Sequence, residues 1–185
     1  MNQRALFLDR DGVVNRDHGY VHRVQDVEWI DGIFDLCRAF QSAGYVIAVV
    51  TNQAGVARGL YTEAAVVELH RWMTAEFRAR GVAIGGFYYC PHHPQGSEAH
   101  YAKVCDCRKP APGMLLRAQR ELGLDLAASV MIGDRESDIE AARAAGLRWA
   151  FRLLPGNGKM EEQTAGTALR RLGDLLEGRR ELLAP

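Results

Sequence analysis

The chain has 185 residues, 48% of them apolar and 25% charged, which suits one globular domain over residues 1–185 with a sizeable core. Lysine plus arginine and aspartate plus glutamate both total 23, so no overall field draws a polyanion and nucleic acid is not an expected partner. No apolar run approaches the length of a membrane span, and Met1-Asn2-Gln3-Arg4 leads into an apolar strand without a signal-peptide pattern, which predicts a cytosolic protein.

Ala5–Leu8 predicts a first strand. Ile33, Leu36, Cys37 and Phe40 then recur at helical spacing, with Asp31 as a candidate cap and Gly44 past the end. Tyr45–Val50 predicts a second strand, buried on both faces. Thr62 is placed to cap a long helix whose stripe is Val66, Leu69, Met73 and Phe77 and which ends at Gly81. Phe87–Tyr89 predicts a third strand. Pro112 suits the first turn of a helix that stops near Gly123. Val130–Ile132 predicts a fourth strand, followed by a short helix ending at Gly146, and Trp149–Leu153 a fifth. Pro155–Gly158 reads as a loop and Leu169–Leu176 as a closing helix. This alternation predicts an α/β fold: a Rossmann-like open parallel sheet with helices on both faces. The polar insertion between Asp17 and Asp31 is too short to form a separate cap domain.

Such sheets bind ligands beyond the carboxyl ends of their strands, which directs attention to the residues found there. The first strand ends in Leu8-Asp9-Arg10-Asp11-Gly12. One carboxylate can attack phosphorus, a second can protonate the leaving alkoxide, and Mg²⁺ favours a few carboxylates plus phosphate oxygens. Gly12 permits a tight turn with N–H groups aimed at an anion. Taken alone, a solvated turn explains this stretch equally well. The second strand leads into Thr51-Asn52-Gln53, a hydroxyl and two amides able to donate to phosphate oxygens or to cap the following loop. Lys109 precedes the helix opened by Pro112, where it could neutralise a transferring phosphoryl group or stand as an ordinary surface lysine. The fourth strand leads into Gly133-Asp134-Arg135-Glu136-Ser137-Asp138. Asp134 is placed to reach a metal held by Asp9. Asp138 is placed to orient it from behind or to cap the next helix.

Acid, hydroxyl, lysine and acid therefore follow successive strands. In this arrangement the chain, from Ala5 to Leu153, resembles the haloacid-dehalogenase superfamily. The motifs are Asp9-x-Asp11, Thr51, Lys109 and Gly133-Asp134-x-x-x-Asp138, and Asp11 resembles the phosphatase branch. The resemblance implies that Asp9 attacks phosphorus to give an aspartyl-phosphate and that Asp11 acts as acid and then base. It also implies that Asp9, Asp134 and the backbone carbonyl of Asp11 hold Mg²⁺, and that Thr51 and Lys109 stabilise the phosphoryl group.

Cysteine usage points to a second metal. Cys90-Pro91-His92 and Cys105-Asp106-Cys107 are two ligand pairs flanking a polar loop over residues 90–107, a Cys₃His set suited to structural Zn²⁺. His93 is an alternative to His92, and free thiols in a loop are the bland reading. Cys37 stands alone in a helical stripe and reads as a core residue. With this loop, the chain is similar to the heptose 1,7-bisphosphate phosphatases and their relatives, the histidinol-phosphate phosphatases. The likeness lies in Asp9 to Asn15, Asp17-His18-Gly19-Tyr20-Val21, Thr51 to Gly55 and Cys105-x-Cys107-Arg108-Lys109-Pro110. Arg135 departs from it, since that group often has lysine there. The resemblance favours His92 as the zinc ligand and places Asp17, His18, Gly19, Tyr20, Asn52, Gln53, Arg108 and Arg135 at the substrate. It implies hydrolysis of the C7 phosphate of D-glycero-D-manno-heptose 1,7-bisphosphate in lipopolysaccharide precursor synthesis; the alternative is a histidinol-phosphate phosphatase or a related small-molecule phosphatase of the same superfamily. A monomer acting on a small sugar phosphate is the expectation.

Overall fold

The apolar runs become the strands of one parallel sheet. In the computed structural model, which describes residues 3–153, these are β1 (Arg4–Leu8), β2 (Tyr45–Asn52), β3 (Ile84–Cys90), β4 (Val130–Gly133) and β5 (Trp149–Arg152), in the order β3-β2-β1-β4-β5. The loop expected at Pro155–Gly158 and the helix expected at Leu169–Leu176 lie outside the described residues. Leu6 of β1 aligns with Ile47 on one side and Val130 on the other, so β1 is buried between two neighbours.

Alternation along the strands then builds two cores. Leu6, Leu8, Ile47, Val49 and Ile132 face one side, covered by α1 (Ile33–Ser42) and α3 (Glu63–Ala79) through Ile33, Phe40, Leu69, Met73 and Phe77. Ala5, Phe7, Ala48, Val50 and Met131 face the other, covered by α4 (Gly113–Leu122) and α5 (Glu136–Ala144) through Met114, Leu115, Ala118, Ala141 and Ala142. Strands buried on both faces need continuous apolar sequence, as β1 and β2 have.

Local signals fix most boundaries. The Thr62 hydroxyl accepts the Ala65 N–H at 3.2 Å and opens α3 as expected. Gly123, at φ 63°, closes α4. The cap expected at Asp31 is corrected: Gly32, at φ 85°, occupies the N-cap of α1, and no side chain accepts there. A left-handed turn costs glycine little, so this helix starts by chain geometry rather than by a cap hydrogen bond. β2 extends past the predicted Val50 because Thr51 and Asn52 stay paired with Tyr89 and Cys90. A one-turn helix, α2 (Ala54–Ala57), follows β2 and was not predicted.

Strand order positions the site. The chain fills one side of β1 with β2 and β3, then crosses to place β4 on the other side. The loops after β1 and β4 therefore diverge from a common crevice, the place where open parallel sheets bind ligands. They touch at Gly12, at φ 93°, where a Cβ atom would meet Asp134 Cγ at 2.8 Å.

Candidate active site and metal centres

The crevice brings together Asp9 from the loop after β1, Lys109 from the loop before α4 and Asp138 from the first turn of α5. Lys109 Nζ lies 2.6 Å from Asp9 Oδ1, 2.6 Å from Asp138 Oδ1 and 2.8 Å from the Val50 carbonyl. All three side chains are buried. Burial alone would weaken the Lys109 ammonium, but the Asp9 and Asp138 carboxylates outweigh it and raise its pKa above the ordinary 10.5. Burial likewise pushes the Asp9 carboxyl up to about 7, against the pull of Lys109. Lys109 is thus a firm cation, and the Asp9 charge is costly to hold without further positive charge beside it.

The structure supplies a place for that charge. Carboxylate oxygens of Asp9, Asp134 and Asp138 lie within 4.8 Å of one another. Among the described residues, Asp134 Oδ1 is buried without a hydrogen-bond partner. A hard divalent cation satisfies such an oxygen, so these residues fit Mg²⁺. Asp138 also accepts the Arg135 N–H through Oδ2 at 3.0 Å and so caps α5. The cap read from the sequence is present, and the contact of Asp138 with the Lys109 ammonium was not foreseen.

Asp11 stands beside this centre in a cradle of donors. Arg10 Nη2 lies 2.9 Å from Oδ2, Asn15 Nδ2 donates to Oδ1 at 3.0 Å and Gln53 Nε2 to Oδ2 at 3.2 Å. Gln53 also donates to Thr51 Oγ1 at 2.9 Å and accepts from Tyr61 at 2.8 Å. Asn52 clasps the Lys109 backbone, accepting its N–H at 3.0 Å and donating to its carbonyl at 3.1 Å. The two amides expected to donate to phosphate are thus engaged in holding Lys109 and Asp11 in place.

Around these groups lies a cleft of about 610 Å³, lined by Asp9, Asp11, Asp17, Gly19, Tyr20, Thr51, Asn52, Gln53, Arg108, Lys109 and Arg135 among others. His18, expected at the substrate, is not among the lining residues; its Nε2 sits 3.1 Å from Glu28 Oε2. Arg135 Nη2 is 2.9 Å from Asp17 Oδ2, which joins the loop after β4 to the insertion after β1. Arg58, unassigned in the sequence, and His93, named there only as an alternative zinc ligand, also line the cleft. Burial first, then the Arg108 and Arg58 guanidiniums, lower the His93 pKa, which places these three groups near one another.

The Cys₃His set is assembled from the end of β3 and the loop that leads to Lys109. Cys107 Sγ is 3.0 Å from Cys90 Sγ and 3.3 Å from Cys105 Sγ, and His92 Nδ1 is 3.3 Å from Cys107 Sγ. A tetrahedron with Zn–S of about 2.3 Å and Zn–N of about 2.0 Å has edges of about 3.5–3.8 Å, so slight expansion around an ion suffices. His92, not His93, faces the sulfurs; the His93 ring accepts the Gln95 N–H at 3.1 Å. Hydrogen bonding with Cys90 is the largest influence on the Cys107 thiol and lowers its pKa to about 5 despite burial.

Residues 106–173 match the HAD-hydrolase-like family model. The chain is 47% identical over 175 residues to the D-glycero-β-D-manno-heptose-1,7-bisphosphate 7-phosphatase of Yersinia pestis, covering 92% of each chain. It is 48% identical over 175 residues to the enzyme of that name from Escherichia coli K12, covering 92% of this chain and 91% of that one. The chain belongs to this phosphatase family. In structure, the phosphatase resembles the D,D-heptose 1,7-bisphosphate phosphatase of B. bronchiseptica complexed with magnesium and phosphate, with a TM-score of 0.73 and 28% identity, covering 94% of this chain and 99% of that chain. Among the described residues of the phosphatase, no helix is long and apolar enough to cross a membrane.

Two further features of the phosphatase escaped the sequence reading. Arg10, inside the first motif, is 1% exposed and reaches His70 of α3. Tyr89 and Tyr101 both donate to Glu63, at 2.9 and 2.8 Å, and tie the cysteine-rich loop to the start of α3. The tyrosines were visible in the sequence, but nothing local named Glu63 as their partner.

Proposed function

We propose that this chain removes the C7 phosphate of D-glycero-β-D-manno-heptose 1,7-bisphosphate and leaves the heptose 1-phosphate, within the synthesis of lipopolysaccharide precursors. The observation that carries the reading is a cleft holding a buried Asp9–Lys109 pair together with the cations of Arg58 and Arg108. A bisphosphate brings two anions, and each needs positive charge once removed from water.

Asp9 attacks phosphorus, and Lys109 and Thr51 hold the oxygens of the transferring group. Asp11 gives its proton to the leaving C7 alkoxide and then takes one from the water that opens the aspartyl-phosphate. Asp9, Asp134 and the Asp11 carbonyl are the residues that would hold Mg²⁺, with Asp138 behind them. A bound Mg²⁺ offsets the repulsion between carboxylate and phosphate and polarises the phosphoryl oxygens. Cys90, His92, Cys105 and Cys107 would hold Zn²⁺ in a closed site, which fixes the loop and supplies no chemistry. Arg108, whose Nη1 lies 3.3 Å from the His92 carbonyl, is thereby kept in place for the second phosphate.

Histidinol phosphate presents an amine where the bisphosphate presents its second phosphate, and Arg58 and Arg108 would repel it. The test is kcat/KM for the two substrates with Mg²⁺. A preference for the heptose bisphosphate supports the reading, and a preference for histidinol phosphate overturns it.

A further inference from the structure

The guanidinium of Arg10 is among the largest fully buried side chains of the protein. Burying this charge is expensive unless its hydrogen bonds and counter-charge are provided. Nη2 meets the Asp11 carboxylate and donates to the Val21 carbonyl at 2.6 Å. Nη1 lies 3.1 Å from His70 Nε2. Arginine has no acceptor, so Nη1 donates and Nε2 accepts. The His70 ring must then be neutral, with its proton on Nδ1. Burial, assisted by Arg10, holds it well below the ordinary 6.5. Phe87 stacks on the ring at 4.5 Å between centroids and Tyr89 meets its edge, so α3 and β3 fix its orientation. Among the described residues, neither Arg10 Nε nor His70 Nδ1 has a hydrogen-bond partner. A counter-charge and two neutral acceptors hold the guanidinium, and the choice of an imidazole as one of them is the feature to explain. A neutral acceptor does explain how Nη1 is anchored while the full positive charge stays with Asp11. A carboxylate at position 70 would draw Arg10 away.

We propose that Arg10, seated by the neutral His70 ring, is a positioning residue that aims the Asp11 carboxyl at the leaving-group oxygen. The same guanidinium grips Val21, which follows the cleft residues Gly19 and Tyr20, so it couples the rim of the cleft to the acid. A second route supports the arrangement: His22 stacks on Tyr61 at 4.7 Å, Tyr61 holds Gln53, and Gln53 holds Asp11.

This inference rests on the assignment of Asp11 as the acid. In the first step the bond from phosphorus to the leaving oxygen breaks as Asp9 bonds to phosphorus. A sugar alkoxide takes the Asp11 proton as it departs, whereas 4-nitrophenolate leaves without one. The test measures kcat/KM, which covers this first step, on the heptose bisphosphate and on 4-nitrophenyl phosphate. His70→Phe keeps the aromatic packing and removes the acceptor; Arg10→Lys keeps the charge and removes the fork. Each should lower kcat/KM on the sugar phosphate by about 10-fold, below the ~100-fold cost of a full 1 Å misplacement. Each should leave 4-nitrophenyl phosphate within about threefold and the sugar KM little changed. His70→Gln, whose amide oxygen can accept from Nη1, should regain most of the loss. Equal losses on both substrates, or no loss in a folded variant, would overturn the proposal, as would failure of the glutamine to restore activity. Asp11→Asn separates the two levels. If it lacks the same leaving-group dependence, the assignment of Asp11 itself fails. If it has that dependence and the Arg10 and His70 variants do not, only the present inference fails.

Discussion

Replacing Lys109 with methionine keeps the apolar stem and removes an ammonium shared by two carboxylates. Asp9 is 6% exposed, Lys109 5% and Asp138 1%, so water from the adjoining cleft can replace only part of the lost contacts. Breaking a buried pair by removing one partner costs about 3–5 kcal/mol. Both Asp9 and Asp138 lose a contact of 2.6 Å here, which places the metal-free protein in the upper part of that range. Such a loss is a large share of a typical stability of about 5–15 kcal/mol. With a urea slope of about 2 kcal/mol per molar, the unfolding midpoint should fall by about 2 M. Asp138→Asn should recover part of this loss when combined with Lys109→Met, with a coupling of at least about 1 kcal/mol in a double-mutant cycle. Added Mg²⁺ should recover another part by supplying positive charge to Asp9 and Asp134. Midpoints that stay within about 0.3 M of wild type, or strictly additive effects, would refute the view that one ammonium neutralises this centre.

Asp9→Asn should abolish turnover and leave the fold intact, because an amide is a poor nucleophile and burial already disfavours the Asp9 charge; near-normal turnover by a folded variant would sink the mechanism. Cys105→Ser should lower the melting temperature without rescue by Mg²⁺, and elemental analysis of the wild-type protein should find zinc, since a structural metal contributes directly to folding. Arg108→Ala should lower kcat/KM for the bisphosphate by about 10–100-fold and affect a small monophosphate much less; equal losses would assign Arg108 to the reacting phosphate. Below about pH 6.5 the unfolded chain protonates His70 while the buried ring resists, so stability falls as pH falls through that value. His70→Gln should flatten this decline relative to wild type in urea titrations at pH 6.5 and 4.5, and an unchanged slope would show that the ring is not held neutral.

What was legible in the sequence follows one physical division. The strand ends carrying Asp9, Thr51 and Asp134 could be found because apolar runs and turn residues are local signals. The same holds for Thr62, whose cap bond reaches three residues along the chain. The cysteine-rich group could also be found, because only certain side chains, clustered within one loop, suit a soft metal. The pairings inside the site could not be. Arg10 meets His70 across 60 residues, and Asn52 clasps Lys109 across 57. Each pairing depends on strand order: β2 carries Asn52 beside the loop bearing Lys109, and α3 lays His70 under the end of β1. Arg10 is the unassigned position of Asp9-x-Asp11, because its place in the motif says nothing of burial. Its environment says more, since a fully buried cation must have its partners built around it. The motif names the candidate groups, and the topology decides which neutral and charged side chains surround them.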